Sequence, residues 1–255
     1  MEKISVVIIT LNEERNIARC LESISWVDEI IIIDAFSKDN TIIIGSQYTD
    51  KIFQRKWPGF SEQRNFGLSQ AKSDWVLFID ADERISSPLA CEIKRLLQDK
   101  QEPDGYYLLC QAFYAGQKIK YGEWNPDWKL RLVRRGKAQW GGPRVHERLF
   151  LDGRAAYLEN PFLHFTYRNI GQHLRKLNLY STLFAQDAAE KSETVNLHKL
   201  VFEPLVRFKN GYFVKAGYKD GLAGLTIAAL QSFEVFLRYV KLLFLNLSGI
   251  IKKKN

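Results

Sequence analysis

The stretch WVLFIDADE, residues 75–83, ends an apolar run in a cluster of acids. Residues 75–79 are apolar without a break, which is typical of a strand covered on both faces of a parallel sheet. Asp80, Asp82 and Glu83 follow directly. Because residues two apart on an extended chain point the same way, Asp80 and Asp82 repel each other unless a positive group lies beside them. The stretch therefore predicts a buried strand that ends at a cation.

The sequence before this stretch alternates between apolar runs and segments of helical periodicity. Three runs predict further strands: Ile4–Thr10, Glu29–Asp34 and residues 51–54. Asn12 and Ser87 are suited to cap the helices that follow them, Asp39 or Asn40 to open a short helix, and residues 61–71 have the pattern of another. Strands and helices in alternation predict an α/β fold with a doubly wound, mostly parallel sheet.

The composition indicates a folded, basic protein. The chain has 255 residues, of which 46% are hydrophobic and 26% charged, so it can form one sizeable core and is not disordered. A net charge of +8 suits nucleic acid, an anionic membrane surface or a phosphorylated substrate. No DNA- or RNA-binding motif is recognised, so we expect no nucleic-acid partner. Three cysteines and a strand-like N-terminus predict a cytoplasmic protein with neither disulfides nor a zinc site.

Polar residues follow three of the predicted strands, at the edge where parallel sheets bind ligands. These segments are TLNEE (residues 10–14), DAFSKDNT (residues 34–41) and DADE (residues 80–83). The phosphate-binding patterns GxGxxG and GxxxxGK[ST] are missing. Mg²⁺ or Mn²⁺ at Asp80 and Asp82 would hold a diphosphate instead, since both ions prefer oxygen ligands and share substrate phosphates. The alternative is a solvated acidic loop in which Asp82 or Glu83 caps a turn.

The segments SVVIITLNEERNI, EIIIIDAFSKDNT and DWVLFIDADE resemble the nucleotide-sugar half of family-two inverting glycosyltransferases, which have the GT-A fold. The later segments WNPDWKLRLVRRGKAQWGGPRVHERL and HFTYRNIGQHLRKLNLYS resemble the branch that contains the lipopolysaccharide inner-core β-1,4-glucosyltransferases. This resemblance covers nearly the whole chain. It implies a GT-A catalytic domain over residues 1–170, with a nucleotide-sugar half (1–100) and an acceptor half (101–170). A C-terminal helical extension, residues 171–255, would follow.

The resemblance also implies a UDP-sugar site at the strand ends. It assigns to this site Thr10, Asn12, Glu13, Asp34, Ser37, Asp39, Gln63, Arg64, Asn65, Asp80 and Ala81. Asp34 would accept a hydrogen bond from the uracil N3–H, and Glu13 would lie near the ribose. Asp80 and Asp82 would form the DxD pair that binds Mg²⁺ or Mn²⁺, with His164 as a further metal ligand.

The loop after the second strand departs from the family pattern DDGSTDGT. Ala35 and Phe36 stand where the family commonly has Asp or Gly and then Gly, which leaves the loop geometry open. Simpler interpretations also stay open at this edge. Asn12 and Asp39 are suited to cap helices, and Arg64 to be a surface cation.

The general base is expected in GGPRVHERL, residues 141–149. An inverting transfer needs a carboxylate that takes the proton of the acceptor hydroxyl. By resemblance Glu147 has this role, with His146 orienting it or touching the donor, and Asp127 is the second candidate. The alternative for Glu147 is a salt bridge with Arg144 or Arg148.

Aromatic and basic residues on the acceptor side have two interpretations each. The tryptophans either stack on sugar faces or form the core beneath the site: Trp124, Trp128 and Trp140. A basic run suits a phosphorylated acceptor: Lys129, Arg131, Arg134, Arg135, Lys137 and Arg144.

Residues 222–251 are almost wholly apolar but carry one polar stripe on a helix: Gln231, Glu234, Arg238 and Lys241. Charges at a bilayer centre each cost about 2.5–3.5 kcal/mol, so a spanning helix is not expected. A helix in the membrane interface costs less, and three lysines at 252–254 favour an anionic leaflet. The alternative is a helix packed on the catalytic domain or in a dimer.

Together these features predict a metal-dependent transferase that moves glucose from a UDP-sugar, with inversion, onto a heptose of the lipopolysaccharide inner core. We expect it on the cytoplasmic face of the inner membrane, bound peripherally near its lipid-linked oligosaccharide acceptor. A polyprenyl-phosphate sugar transferase of the same fold is the main alternative. A non-catalytic membrane- or glycan-binding module is the second, although intact acids at Asp34, Asp80, Asp82 and Glu147 argue against it. The sequence leaves the oligomeric state open.

Overall fold

The computed structural model describes residues 2–98, 103–142, 147–196 and 198–254, with side chains to residue 247. The chain divides into two compact units. The first holds the described residues up to 111, 127–142 and 147–165, and the second holds residues 112–126 and those from 166 onward. The boundary predicted at residue 170, between a catalytic domain and a C-terminal helical extension, stays a prediction.

The parallel half of the sheet comes from the first eighty residues. Its strands are β1 (Ile4–Thr10), β2 (Glu29–Asp34), β3 (Ile52–Gln54) and β4 (Trp75–Asp80). They lie in the order β3-β2-β1-β4, and each neighbouring pair is parallel. Thr10 is level with Asp34, and Ile9 is level with Asp80. The register therefore brings the polar strand ends to one edge, as the sequence predicts.

The other strands pair antiparallel or form a separate ribbon. They are β5 (Glu83–Ile85), β6 (Gly105–Tyr114), β7 (Gln117–Lys118), β8 (Trp128–Arg134), β9 (Ala138–Gly141), β10 (Arg148–Leu151) and β11 (Ala155–Tyr167). The sheet continues from β4 through β8, β6 and β11 to β5, with β4 and β8, β6 and β8, and β5 and β11 antiparallel. β9 and β10 form a two-stranded antiparallel ribbon.

Two cores cover the faces of the parallel strands. The helices are α1 (Ile17–Ser23), α2 (Thr41–Gly45), α3 (Phe60–Gln70), α4 (Ser87–Leu96), α5 (Ile170–Glu190), α6 (Glu203–Lys209) and α7 (Gly221–Lys254). Val6 and Ile8 pack with residues of α1 and α4, whereas Val7 and Ile9 pack with α3 and the ribbon. A Cβ on Gly67 would lie 2.3 Å from Val7 Cγ1, so α3 approaches β1 too closely for a side chain there.

Two predicted helix caps are wrong. Ser86, not Ser87, is the N-cap of α4, because Ser86 has the extended backbone of a cap and its hydroxyl accepts a hydrogen bond from the backbone N–H of Leu89. Asn12 caps no helix: α1 begins only at Ile17, and the Asn12 side chain accepts from the backbone N–H of Lys38 at 2.8 Å.

The second unit is built on α5, α6 and α7. Leu242 of α7 is buried against alanines of α5. Glu234 and Arg238, four residues apart on the polar stripe, form an ion pair at 2.6 Å. Lys241 donates to the carbonyl of Asn178 at 2.8 Å and to Ser181 Oγ at 2.8 Å, so the polar stripe partly faces α5. In the described part of the chain, no helix has the length and apolar character needed to span a bilayer.

Candidate active site

Asp34 lies at the end of β2 as a fully buried carboxylate with neutral donors. Its Oδ1 accepts from Thr10 Oγ1 at 3.0 Å and from Ser37 Oγ, and its Oδ2 accepts from Ser37 N at 2.8 Å and from Gln54 Nε2 at 3.1 Å. Buried carboxylates require such hydrogen bonds. A bond from uracil to Asp34 would have to replace one of these donors.

The loops that follow β1 and β2 are joined by hydrogen bonds. Asn12 N donates to Ser37 Oγ at 2.8 Å, Glu13 N donates to Thr41 Oγ1 at 2.7 Å, and Asp39 Oδ2 accepts from Glu14 N at 3.1 Å. Asp39 Oδ1 also accepts from Thr41 N at 3.0 Å at the start of α2. The residues named from the sequence on these two loops therefore form one rim.

Phe36 has a backbone conformation that glycine favours. Its φ is +61°, in the left-handed region. Phe36 thus adopts the conformation that the commoner family glycine accommodates without a side-chain penalty, while half of its ring surface stays exposed.

Asp80 is held by two buried arginines. Its Oδ1 lies 2.8 Å from Arg64 Nη2, and its Oδ2 lies 3.2 Å from Arg131 Nη2. Arg131 Nη2 also lies 2.8 Å from Glu83 Oε1, and Glu83 Oε2 accepts from the Asp80 N–H at 2.8 Å. The positive groups beside Asp80 are thus guanidinium groups. Arg64 is not a surface cation, because only 5% of it is exposed.

The charges of this network set its protonation. Burial raises the pKa of Asp80, but Arg64 and Arg131 outweigh it and hold that pKa well below its ordinary value. Burial lowers the pKa of Arg131, but the attraction of Glu83 and Asp80 outweighs burial and raises that pKa, so Arg131 stays charged. For Glu83 burial prevails over the attraction of Arg131, and its pKa is raised. Arg131 consequently belongs to this network and not to an exposed basic surface.

Arg64 connects Asp80 to Glu147. Its Nη1 lies 2.5 Å from Glu147 Oε1, and its guanidinium carbon lies 4.5 Å from the centre of the Trp140 ring. Asn65 donates from Nδ2 to the Trp140 carbonyl at 2.8 Å and accepts the Trp140 N–H at 2.9 Å. Two consecutive residues of α3 therefore hold the ribbon that carries Glu147. His146 and Arg144, for which roles were predicted, lie outside the described residues.

Asp82 and His164 meet beside this network. His164 Nε2 lies 3.4 Å from Asp82 Oδ2, and its Nδ1 lies 3.9 Å from Cys110 Sγ. Burial lowers the pKa of His164, but the attraction of Asp82 outweighs it and raises that pKa to about 10. The pairing of β5 with β11, which aligns Glu83 with His164, produces this contact.

A divalent ion fits Asp82 and His164 only in part. Both are metal-ligand types and share one side of the site, but both oxygens of Asp80 already face arginines. Within the described ranges, no group of three or more His, Cys, Asp or Glu residues is arranged to hold an ion. Asp82 and His164 would supply only part of the coordination shell of such an ion.

The model of the family described as glycosyl transferase family 2 matches residues 5–158.

The chain belongs to glycosyl transferase family 2.

Relatives of this family 2 glycosyltransferase match over nearly its full length. The lipopolysaccharide core biosynthesis glycosyltransferase LpsC of Rhizobium meliloti (strain 1021) is 30% identical over 94% of this chain and 91% of its own. An uncharacterized glycosyltransferase of Rickettsia felis is 29% identical over 100% of this chain and 93% of its own. The crystal structure of S. aureus TarS 1–349 in complex with UDP-GlcNAc has a TM-score of 0.51 at 15% identity, and covers 94% of this chain and 92% of that chain. The GT-A fold and family predicted from the sequence are confirmed.

Ala81 and Gln63, like Asp34 and Arg64, are predicted donor-site residues of the family 2 glycosyltransferase that are buried. Ala81 is part of the core beneath the sheet edge. Gln63 is fully buried, and neither atom of its side-chain amide has a hydrogen-bond partner among the described residues. Buried amides normally have hydrogen-bond partners, so the unpaired side-chain amide of Gln63 is an exception among the described residues of α3.

The three tryptophans of the acceptor half differ in exposure. Trp140 is buried against Phe78, and Trp124 packs among aromatic rings of the second unit. Trp128, at the start of β8, has 38% of its surface exposed. Of the three, Trp128 is the one that offers an accessible ring to a ligand.

Proposed function

We propose that this glycosyltransferase transfers glucose from a UDP-sugar, with inversion, to a heptose of the lipopolysaccharide inner core. The relative LpsC is a lipopolysaccharide core biosynthesis glycosyltransferase, which supports this process. The polar rim of the β1 and β2 loops, with Asp34 at its centre, supports a nucleotide at this edge.

The observation that carries the proposal is the bridge of Arg64 between Asp80 and Glu147, at 2.8 Å and 2.5 Å. It brings the DxD residue and the candidate base to one guanidinium group. In the proposed reaction the acceptor oxygen bonds to the anomeric carbon as the bond from that carbon to the diphosphate breaks. Glu147 takes the hydroxyl proton, and Arg64 holds its carboxylate in place.

Asp82, His164 and Asp80 are proposed as the metal side of the site. Mg²⁺ or Mn²⁺, when bound there with the donor, would neutralise the charge of the departing diphosphate. In this proposal Asp82 and His164 contribute an oxygen and a nitrogen ligand, while Arg64 and Arg131 keep Asp80 ionised and oriented. Asp82→Ala should abolish transfer, and it should also lower stability because it removes the ion-pair partner of the partly buried His164.

Assays of the purified full chain test this function. UDP-sugars and GDP-sugars are offered with a heptose-containing core oligosaccharide, and the product linkage is read by NMR. A β-linked glucosyl heptose formed from UDP-glucose is the expected product. Sugar transferred instead to polyprenyl phosphate, with the oligosaccharide unmodified, would contradict the proposed acceptor and favour the lipid-phosphate alternative.

Peripheral attachment to the cytoplasmic face of the inner membrane is part of the proposal. Several large apolar side chains of α7 are exposed: Leu222, Leu225, Phe233, Phe236, Phe244 and Leu247. Exposed apolar residues precede α7 as well: Val201, Phe202, Leu205, Val206, Phe213 and Val214. Lys209, Lys215 and Lys219 are exposed nearby in sequence, so apolar and cationic groups together suit an anionic lipid surface.

Flotation with liposomes tests the attachment. The full chain should float with phosphatidylglycerol-rich liposomes at low salt, and less so at high salt. A chain truncated after Lys219 should float much less, because it lacks α7. Equal flotation of both chains, or no flotation of either, would instead indicate that α7 packs on protein.

A further inference from the structure

An exposed aromatic cluster in the first unit lies on strands β6, β8 and β11 of the sheet. Tyr107 and Tyr157 stack with ring centres 5.0 Å apart, and Trp128 meets Tyr157 edge-on at 5.0 Å. Tyr157 has 62% of its surface exposed. Large rings on neighbouring strands normally turn toward a core, so a group this exposed is suited to a ligand.

The cluster shares a sheet face with the residues that hold Glu147. Tyr107 lies two residues after Gly105 on β6, so both face the same way. A Cβ on Gly105 would lie 2.8 Å from Leu151 Cδ2, which shows that the β9–β10 ribbon covers this face at that point. Leu149 of the same ribbon belongs to the core under α3, the helix that carries Arg64.

The cluster also lies toward the reacting edge of the sheet. Trp128 pairs with Leu109, and the carbonyl of the preceding Asp127 accepts from Cys110 N at 2.8 Å. Cys110 Sγ in turn contacts His164. Trp128 is three residues from Arg131, which reaches Asp80, and three residues of strand span about 10 Å. A sugar on Trp128 would therefore lie about 10 Å along β8 from the residue that contacts Asp80.

Polar groups border the rings. Asp127 and Lys129, on either side of Trp128, form an ion pair at 3.2 Å, and both side chains are more than a third exposed. Aromatic faces bind the C–H face of a pyranose, and flanking charged groups hydrogen-bond its hydroxyls. This combination fits a neutral or phosphorylated sugar better than it fits a lipid or a protein helix.

We infer that Tyr107, Trp128 and Tyr157, with Asp127 and Lys129, form a subsite that binds a sugar ring of the acceptor oligosaccharide. This inference rests on the proposed function, which supplies the glycan. The subsite would hold a ring next to the one that receives the new bond. Asp127 is thereby assigned to acceptor binding, whereas Glu147 stays the candidate base.

The test measures binding of a lipid-free inner-core oligosaccharide that contains heptose. Titration calorimetry is done with the full chain saturated with UDP and Mn²⁺, so that membrane attachment does not contribute. Trp128→Ala and Tyr157→Ala should each weaken oligosaccharide binding about tenfold, the fold-change expected for loss of one ring contact. Trp128→Phe should retain most of the affinity, and UDP affinity should stay within twofold in all variants.

Tyr48→Ala is the matched control, because Tyr48 is an exposed aromatic residue of the same unit outside the cluster. It should bind the oligosaccharide like the wild type. Oligosaccharide affinity within twofold of wild type in both Trp128→Ala and Tyr157→Ala overturns the inference. So does a wild type that binds UDP but not the oligosaccharide. A wild type that does not bind UDP contradicts the proposed function instead.

Discussion

Asp34 and Asp80 end two strands that flank β1, yet their partners differ in kind. Asp34 accepts hydrogen bonds from hydroxyl, amide and backbone donors of Thr10, Ser37 and Gln54, all of them neutral. Asp80 lies between two guanidinium groups that also hold Glu83 and Glu147. Neutral dipoles fix the position of a group without adding charge, whereas paired ions also hold its ionisation state. One sheet edge thus has a neutral end, proposed for the nucleobase, and a charged end, proposed for the metal and the diphosphate.

Removal of Arg131 should disrupt the charged end of the sheet edge and cause the largest loss of stability. Arg131→Met leaves Glu83 and Asp80 buried beside one cation fewer. Loss of one partner from a buried ion pair costs about 3–5 kcal/mol in the free energy of unfolding. Urea denaturation measures it. Arg134→Met is the control, since its partly exposed pair with Glu2 should be worth less than about 1 kcal/mol. Equal losses in the two variants would contradict the comparison.

Glu147→Gln should separate chemistry from binding at the same charged end. The amide oxygen can still accept from Arg64, but glutamine cannot take a proton. We expect kcat to fall by about 10²–10⁴-fold. UDP affinity, measured by calorimetry, should stay near the wild-type value because the proposed role of Glu147 is on the acceptor side. A loss of less than about tenfold would shift the role of base to another acid, with Asp127 to be tested next.

Asp34→Asn should sharpen the contrast at the neutral end. An amide nitrogen there faces donors instead of accepting from them, so a buried hydrogen bond is lost and stability falls by about 1–3 kcal/mol. UDP affinity should fall as well. Asp152→Asn, at a side chain that is 93% exposed, should change neither quantity. An Asp34→Asn variant as stable as wild type would mean that neither the charge nor the second acceptor oxygen of Asp34 stabilises the fold.

Low pH should destabilise the fold through a third buried group, His173 of the second unit. It stacks on Tyr167 at 4.1 Å, and burial together with Lys176 lowers its pKa to about 4. The folded state therefore binds fewer protons than the unfolded state between pH 4 and about 6.5, so stability is lost as the pH falls through that window. We expect the stability of wild type relative to His173→Phe to fall by about 1–2 kcal/mol from pH 7 to pH 5.

The difference between the two proteins is the quantity to measure. Subtracting the stability of His173→Phe from that of wild type cancels the contribution of His164, which both proteins share. The raised pKa of His164 gives stability that is fully present below about pH 6.5 and is lost as the pH rises toward 10. Urea denaturation of both proteins at pH 5, 6 and 7 gives the comparison. A difference that does not change with pH would mean that His173 is protonated without cost in the folded state.

The sequence predicted the parallel half of the fold because its signals are local. The buried apolar runs predicted β1, β2 and β4, and the polar residues that follow these runs indicated Asp34 and Asp80 as site residues. The cap of α4 was assigned one residue late, since Ser86 and Ser87 are equally good caps by type and only the backbone distinguishes them.

The charged network was not predicted, because its members come from separate elements. Arg64 and Glu147 are 83 residues apart and meet only through the packing of α3 on the ribbon. Arg131 was grouped with exposed basic residues, although it alternates with Leu130 and Leu132 in β8. The sequence did offer a signal that Arg131 is buried. It is a single cation between two apolar residues, on a strand next to β4.

The clamp of Asn65 on Trp140 has a consequence for engineering. Its amide pairs with the main-chain N–H and carbonyl of one residue, as an adjacent strand would, so it does not depend on which side chain stands at position 140. The ribbon that carries Glu147 is thus fastened by a connector that is indifferent to sequence. We therefore expect that a ribbon from another member of the family can be grafted here if it keeps a ring against Phe78 and Arg64, and the acceptors that such a variant uses would show whether the ribbon governs acceptor choice.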